Sequence, residues 1–182
     1  MNPSDFKSGK IINEISQKTY SWDSPSNIAL VKYWGKNKDQ TPKNPSISLT
    51  LSNCKTTTKV EFVKSSLKSN SVDFEIIFEG QKNKKFRPKI EKYLSKILEY
   101  CPYLNNYQLI INSTNSFPHS SGIASSASGM SALSLCILSF EKDLTDLNNE
   151  EYFYKKASFL SRIGSGSACR SIYGGINLWG DN

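Results

Sequence analysis

Between residues 46 and 51 every second side chain is aliphatic: Ile47, Leu49 and Leu51 alternate with Ser46, Ser48 and Thr50. A period of two belongs to an extended strand with one covered face, because successive side chains of a strand point to opposite sides. A chain carrying this pattern has to build a sheet. Residues 28–33, 56–63, 72–79, 107–111 and 171–179 read as further strands. The second and third of these, joined by a polar Ser/Lys/Asn stretch, predict an antiparallel hairpin, and residues 80–85 a charged loop. Helical spacing takes over later. Ile90, Tyr93, Leu94, Ile97 and Leu98 share one face of a helix over 89–100, with Pro88 at its first turn and Pro102 stopping it. Residues 123–140 predict a small-residue helix packed closely on the sheet. Residues 150–163 predict another, with Asn148 or Asn149 as N-cap and two glutamates favouring its positive end. Strands come first and helices follow, so the expected class is α+β, with helices covering one face of a mostly antiparallel sheet. Residues 1–20 read as a loose leader and residues 21–182 as one domain.

Composition narrows the function. The formal net charge is +7 over 182 residues, which suits an acidic ligand. It equally suits a solvated lysine-rich surface, because the lysines are scattered and only 82–85 forms a cluster. No aromatic-interleaved basic stripe is present, which argues against nucleic acid as partner. No apolar run approaches the roughly 18 residues of a membrane span. Residues 1–20 lack the apolar core of a secretory signal, so the expected location is the cytoplasm, and the sequon at Asn112 is incidental. The four cysteines (Cys54, Cys101, Cys136, Cys169) are far apart and His119 is the sole histidine. A zinc site or disulfide framework is therefore not expected, and Cys169, with no paired base in view, reads as a packed residue.

Three segments carry chemistry. In residues 163–175 two hydroxyls (Ser165, Ser167) and one guanidinium (Arg170) stand among glycines. Glycine lets backbone N–H groups approach a ligand, and arginine grips a carboxylate or phosphate with two donors. In residues 115–129, Pro118 turns the chain and Gly122 and several serines lead into a helix, whose free N–H groups form an anion site. Ser121, Ser125 and Ser126 could add hydroxyl contacts to phosphate, and Ser126 to Mg²⁺; tight helix packing alone would also account for this composition. It is not a Walker A loop, because no Gly-Lys-Ser/Thr follows. In residues 24–36, Lys32 and Lys36 bracket Tyr33, Trp34 and Gly35, a pattern that could pin a phosphorylated ligand or simply form an aromatic edge with two solvated lysines. His119 could shuttle a proton, or merely be exposed.

Taken together, residues 27–36 with 44–51, 117–127 and 164–170 with Gly174 and Gly175 resemble the diphosphomevalonate decarboxylase family of the GHMP kinase superfamily. The serine loop resembles the superfamily in general. The segments at 32–36 and 164–170 are far more specific. The resemblance implies the N-terminal, ribosomal-protein-S5-domain-2-like half of the GHMP fold. It implies an ATP- and Mg²⁺-dependent enzyme that phosphorylates the tertiary hydroxyl of 5-diphosphomevalonate, then loses phosphate and CO₂ to give isopentenyl diphosphate. Arg170 would hold the departing carboxylate. Tyr33, Trp34, Gly35, Lys36 and Lys32 would bind the diphosphate end. Ser165, Gly166, Ser167, Ala168 and Cys169 would shape the substrate wall, Ser121, Gly122, Ser125 and Ser126 the phosphate loop, and Arg87 would add a second substrate arginine. The family commonly forms homodimers. Its members run longer, and the aspartate thought to act at the hydroxyl belongs to their C-terminal half. An incomplete form with little turnover of its own is therefore expected. A related kinase of the mevalonate 3-kinase type, and a nucleotide-binding fragment without chemistry, remain the alternatives.

Overall fold

One long strand organises the sheet. In the computed structural model, which describes residues 2–38, 40–65, 71–82, 85–118 and 122–180, β2 (Ser46–Lys64) pairs antiparallel with β1 (Gln17–Val31) along most of its length. Its C-terminal half also pairs with β5 (Tyr107–Asn115), and its N-terminal end with β6 (Ile176–Trp179), both antiparallel. Beyond β5 lies β3 (Asp73–Phe78), then the two-residue β4 (Gln81–Lys82). The strands expected at 46–51 and 56–63 are thus one element. The expected hairpin between 56–63 and 72–79 does not form: β5 intervenes, and β3 runs parallel to it. The physical reason lies in the partners. Val60 and Phe62 of β2 and Leu109 and Ile111 of β5 supply one continuous inner face, and β3 extends that face with Phe74 and Ile76.

Three helices cover this face. α2 (Ser125–Thr145) is buried along most of its length, and its Phe140 stacks on Phe62 at 4.2 Å between centroids. Its small residues allow a close approach to the sheet, where the Ser128 and Thr56 hydroxyls meet at 2.6 Å. α1 (Arg87–Ile97) buries Ile90, Tyr93, Leu94 and Ile97, as its spacing predicts. Each such side chain contributes about 1.5–3 kcal/mol. α3 (Glu150–Gly164) starts at Asn149, whose side chain accepts from the Tyr152 N–H at 2.9 Å.

A further expectation changes. Residues 2–20 are tied down rather than loose: Phe6 is buried and stacks on Phe159 at 4.6 Å, the Ile12 and Asn13 N–H groups donate to the Leu144 carbonyl, and Gln17 already begins β1. An aromatic side chain with an apolar seat on α3 holds down a segment whose composition is polar. In β2 it is the serine side of the alternation that is covered: Ser46 and Ser48 are fully buried, whereas Ile47 is exposed. Ile28, Leu49 and Ile176 lie in one cross-strand row, and Val31, Ile47 and Leu178 in another, on the open side of the sheet. Among the described residues no helix is long and apolar enough to cross a membrane.

Candidate functional site

The 3-10 turn Gly166–Ser171 follows α3 directly, because Ser165 leaves helical geometry (φ −154°) and reverses the chain. Two glycines make the corner possible. A Cβ on Gly164 would lie 2.7 Å from the Met130 sulfur and 2.9 Å from the Tyr93 ring, and one on Gly166 would lie 2.7 Å from Lys36 Nζ. Lys36 therefore reaches across the 164–170 segment. Its ammonium sits 5.5 Å from the Tyr33 ring centre, and Tyr33 meets the Trp179 ring edge-on at 5.0 Å. Arg170 lies over the other part of this cluster, 5.4 Å from the Trp179 centroid. At the opposite end the Ser165 and Ser126 hydroxyls are 3.4 Å apart. The three segments singled out in the sequence thus meet in one continuous wall, running Ser126, Ser165, Gly166, Lys36, Tyr33, Trp179, Arg170.

Arg170 is 5% exposed and no carboxylate faces it among the described residues. Its Nη1 donates to Ser46 Oγ at 2.8 Å, and that hydroxyl donates in turn to the Val31 carbonyl at 2.7 Å. Its Nε, together with the buried polar atoms Ser26 Oγ, Asn27 Oδ1 and Ser48 Oγ, lacks a partner among the described residues. Burial lowers the guanidinium pKa, the expected sign for a cation removed from water without an anion. A buried, unneutralised arginine is costly to maintain and favours a bound anion.

The serine loop has the form of an anion site. Gly122 has φ +82°, and the cap residue Ala124 is left-handed, so no side chain caps the first turn of α2. Its N–H groups point at whatever binds there. Beside Ser125 and Ser126 opens an apolar pocket of about 90 Å³, floored by Ile76, Ile111 and Met130 and flanked by Phe78 and Phe86. Lys89 stands at its mouth; partial burial first, then the charge of Lys36, lowers its pKa. Two ammonium groups held near each other mark a place for negative charge.

Not every expected residue points into the cleft. Arg87 turns away: its Nη1 donates to the Phe74 carbonyl at 3.1 Å and its guanidinium lies 4.5 Å from the Phe74 ring centre, tying α1 to β3. Ala168 and Cys169 are packed inward, and burial pushes the Cys169 thiol up to about 11, so it is a neutral thiol rather than a nucleophile. The Trp34 side chain is 84% exposed. Ser167 contributes its backbone carbonyl, 3.5 Å from the Asn27 amide nitrogen. Lys32 is exposed, and its carbonyl accepts from Asn44. His119 and Ser121 lie outside the described residues. Three residues went unrecognised as parts of the site. Asn44 clamps the 32–36 turn, accepting from the Trp34 N–H at 2.6 Å and donating to the Lys32 carbonyl at 3.3 Å. Ser46 orients Arg170, and Lys89 closes the phosphate end. Only the serine alternation around Ser46 carried a signal. Among the described residues no cluster of three metal-ligating side chains exists, and no carboxylate lines the pocket at Ser125 and Ser126.

Residues 24–182 match the diphosphomevalonate decarboxylase-like N-terminal domain family. The diphosphomevalonate decarboxylase of Saccharomyces cerevisiae is 36% identical over 174 residues, covering 88% of this chain and 41% of that protein. The Ganoderma lucidum enzyme of the same name is 35% identical over 166 residues, covering 86% and 40%. The mevalonate diphosphate decarboxylase structure from Staphylococcus aureus superposes with a TM-score of 0.72 at 36% identity, covering 90% of this chain and 46% of that one. A structure described as MDDEF in complex with MVAPP, AMPPCP and magnesium superposes at 0.71 with 34% identity, over 90% and 47%. The chain spans about 40% of the length of the curated relatives it matches.

Proposed function

The chain belongs to the diphosphomevalonate decarboxylase-like N-terminal domain family, and from that premise we propose that it supplies the phosphate-loop and carboxylate-holding walls of an ATP-dependent 5-diphosphomevalonate decarboxylase of isoprenoid biosynthesis. The observation that carries this reading is the unbroken wall from Ser126 to Arg170, in which an anion site at a helix start and a buried arginine lie at opposite ends.

The division of labour follows from charge. The nucleotide phosphates sit at the α2 N-terminus with Gly122, Ser125, Ser126 and, at the mouth of the apolar pocket, Lys89; that pocket takes the base. Magnesium, when carried by the nucleotide, neutralises phosphate charge. Ser126, in the first turn of α2, is the hydroxyl that would reach it. Tyr33, Gly35 and Lys36 hold the substrate diphosphate, with Lys32 adding long-range attraction. Ser165 orients the tertiary hydroxyl toward the nucleotide. Phosphorylation turns that hydroxyl into a leaving group. When the phosphate departs with its C–O electron pair, the carboxylate C–C pair forms the alkene and CO₂ is released. Arg170 holds the carboxylate in line for that step without neutralising it by proton transfer. The four free cysteines are consistent with work in the reducing cytoplasm.

Among the described residues no carboxylate lines the pocket at Ser125 and Ser126 to accept the hydroxyl proton. The 182-residue chain, incubated with ATP and carboxyl-labelled 5-diphosphomevalonate, is therefore expected to bind both and leave the label in the acid. Labelled CO₂ from the chain alone would refute the proposed division of labour.

A further inference from the structure

Between α3, the turn Gly166–Ser171 and β6 lies a groove of about 400 Å³, to which the three sequence motifs contribute only Cys169, Arg170 and Tyr173. Lys155, Arg162 and Arg170 line it, with Ser158 and Asn177 beside them, and no carboxylate is among its lining residues. Of the cleft wall, only Arg170 and Trp179 also face this groove. Arg162 packs its guanidinium over the Phe159 ring at 5.6 Å, and its Nε is buried without a hydrogen-bond partner among the described residues. The Nε of Arg170 is in the same condition. Lys155 is paired with Glu151 at 2.5 Å, but that pair is a solvent-exposed one along a single helix turn, the kind that gives way readily to a stronger anion. The floor is aromatic, with Phe6 stacked on Phe159.

We infer that this groove is a second anion site, and that its ligand is a phosphate or diphosphate ester with an apolar tail: the Arg162 guanidinium and Lys155 take the phosphoryl oxygens and the Phe6–Phe159 stack takes the tail. Planar guanidiniums match phosphoryl oxygens with two parallel donors. The Arg162 Nε, a buried donor with no acceptor among the described residues, marks a guanidinium whose hydrogen bonding its own chain leaves incomplete. The assignment does not rest on the reading of the cleft, since Lys155 and Arg162 belong to none of its motifs.

The chain contains three arginines, Arg87, Arg162 and Arg170, so its three Nε–Hε signals in a ¹⁵N spectrum separate the sites directly. Titrating the full chain with inorganic diphosphate is expected to shift the Arg162 signal saturably and leave that of Arg87 in place. Arg162→Gln, and separately Lys155→Ala at an exposed position that cannot unfold the chain, should each weaken the binding, the former about tenfold. In Lys36→Ala, which removes the cleft lysine, the Arg162 shift should persist; undiminished cleft binding in that variant, with the shift intact, would fault the proposed function and leave this inference standing. A five-carbon alkyl diphosphate should bind more tightly than inorganic diphosphate. A static Arg162 signal in a chain that binds diphosphate, a shift that vanishes in Lys36→Ala, or unchanged affinity in both groove variants would overturn the site. Equal affinity for the two probes would overturn the assignment of an ester.

Discussion

At the scale of single residues, the two corner glycines separate packing from function. Gly164 faces Met130 and the buried Tyr93 ring, so an added methyl group has to displace core atoms. Gly166 faces only the flexible end of Lys36. Gly164→Ala is therefore expected to lower stability by about 1–3 kcal/mol in denaturant unfolding. Gly166→Ala should leave the unfolding midpoint nearly unchanged and weaken diphosphate binding instead, because it pushes the ammonium off its position over Tyr33. Comparing unfolding curves and diphosphate affinities of the two variants tests this contrast. Arg170 shows how the same logic runs for charge. Its burial, with no carboxylate facing it among the described residues, is what the proposed carboxylate-holding role asks of it.

At the scale of elements, α2 and α3 are joined by a charge pair at the centre of the helical layer. Lys156 donates to both oxygens of Glu141, at 2.6 and 2.8 Å, with the two side chains at most 1% exposed. Lys156 also donates to the Tyr100 carbonyl at 3.3 Å. Removing one partner strands a buried charge, so Glu141→Gln should cost about 3–5 kcal/mol in chemical denaturation. Because α3 delivers Ser165 and the following turn to the cleft, the same substitution should also loosen ligand binding. The contact between β1 and α2 answers to pH. Burial by itself would raise Asp143, but the hydrogen bonds from Lys18 and Tyr20 outweigh it and hold the carboxyl below the ordinary aspartate range. A lowered carboxyl contributes stability above its unfolded pKa, near 3.9, and loses that contribution as pH falls through the folded value. Wild type should thus exceed Asp143→Asn in stability at pH 7, with the gap closing as pH falls below the ordinary aspartate range, as measured by urea unfolding across pH.

At the scale of the whole molecule, the α+β class, the three helices and the convergence of the motifs were legible because each rests on a local signal: helical spacing in α1, the Asn149 cap of α3, glycine and serine runs at the corners. What was not legible depends on partners far apart in sequence. Nothing local in residues 72–79 tells that β5 will insert beside β2 and turn an expected hairpin into a parallel pair. Alternation in residues 46–51 marks a two-faced strand but not which face is covered. Ser46 turns inward, where it accepts from Arg170, and Ser48, two residues on, shares its face, leaving Ile47 with Ile28, Ile176 and Leu178 outside. Arg87 illustrates the converse: the family resemblance implied a substrate arginine there, and the described contacts of its guanidinium are the carbonyl and ring of Phe74. In the proposed function one wall holds a diphosphate at Lys36 and a carboxylate at Arg170. The affinity of the chain for 5-diphosphomevalonate relative to isopentenyl diphosphate, which lacks the carboxylate, measured in wild type, Arg170→Gln and Lys36→Ala, tests that pairing. Wild type should prefer the acid by about tenfold or more, a preference erased by Arg170→Gln and kept by Lys36→Ala, which weakens both ligands alike. Equal weakening of both ligands by Arg170→Gln would show that Arg170 does not hold the carboxylate.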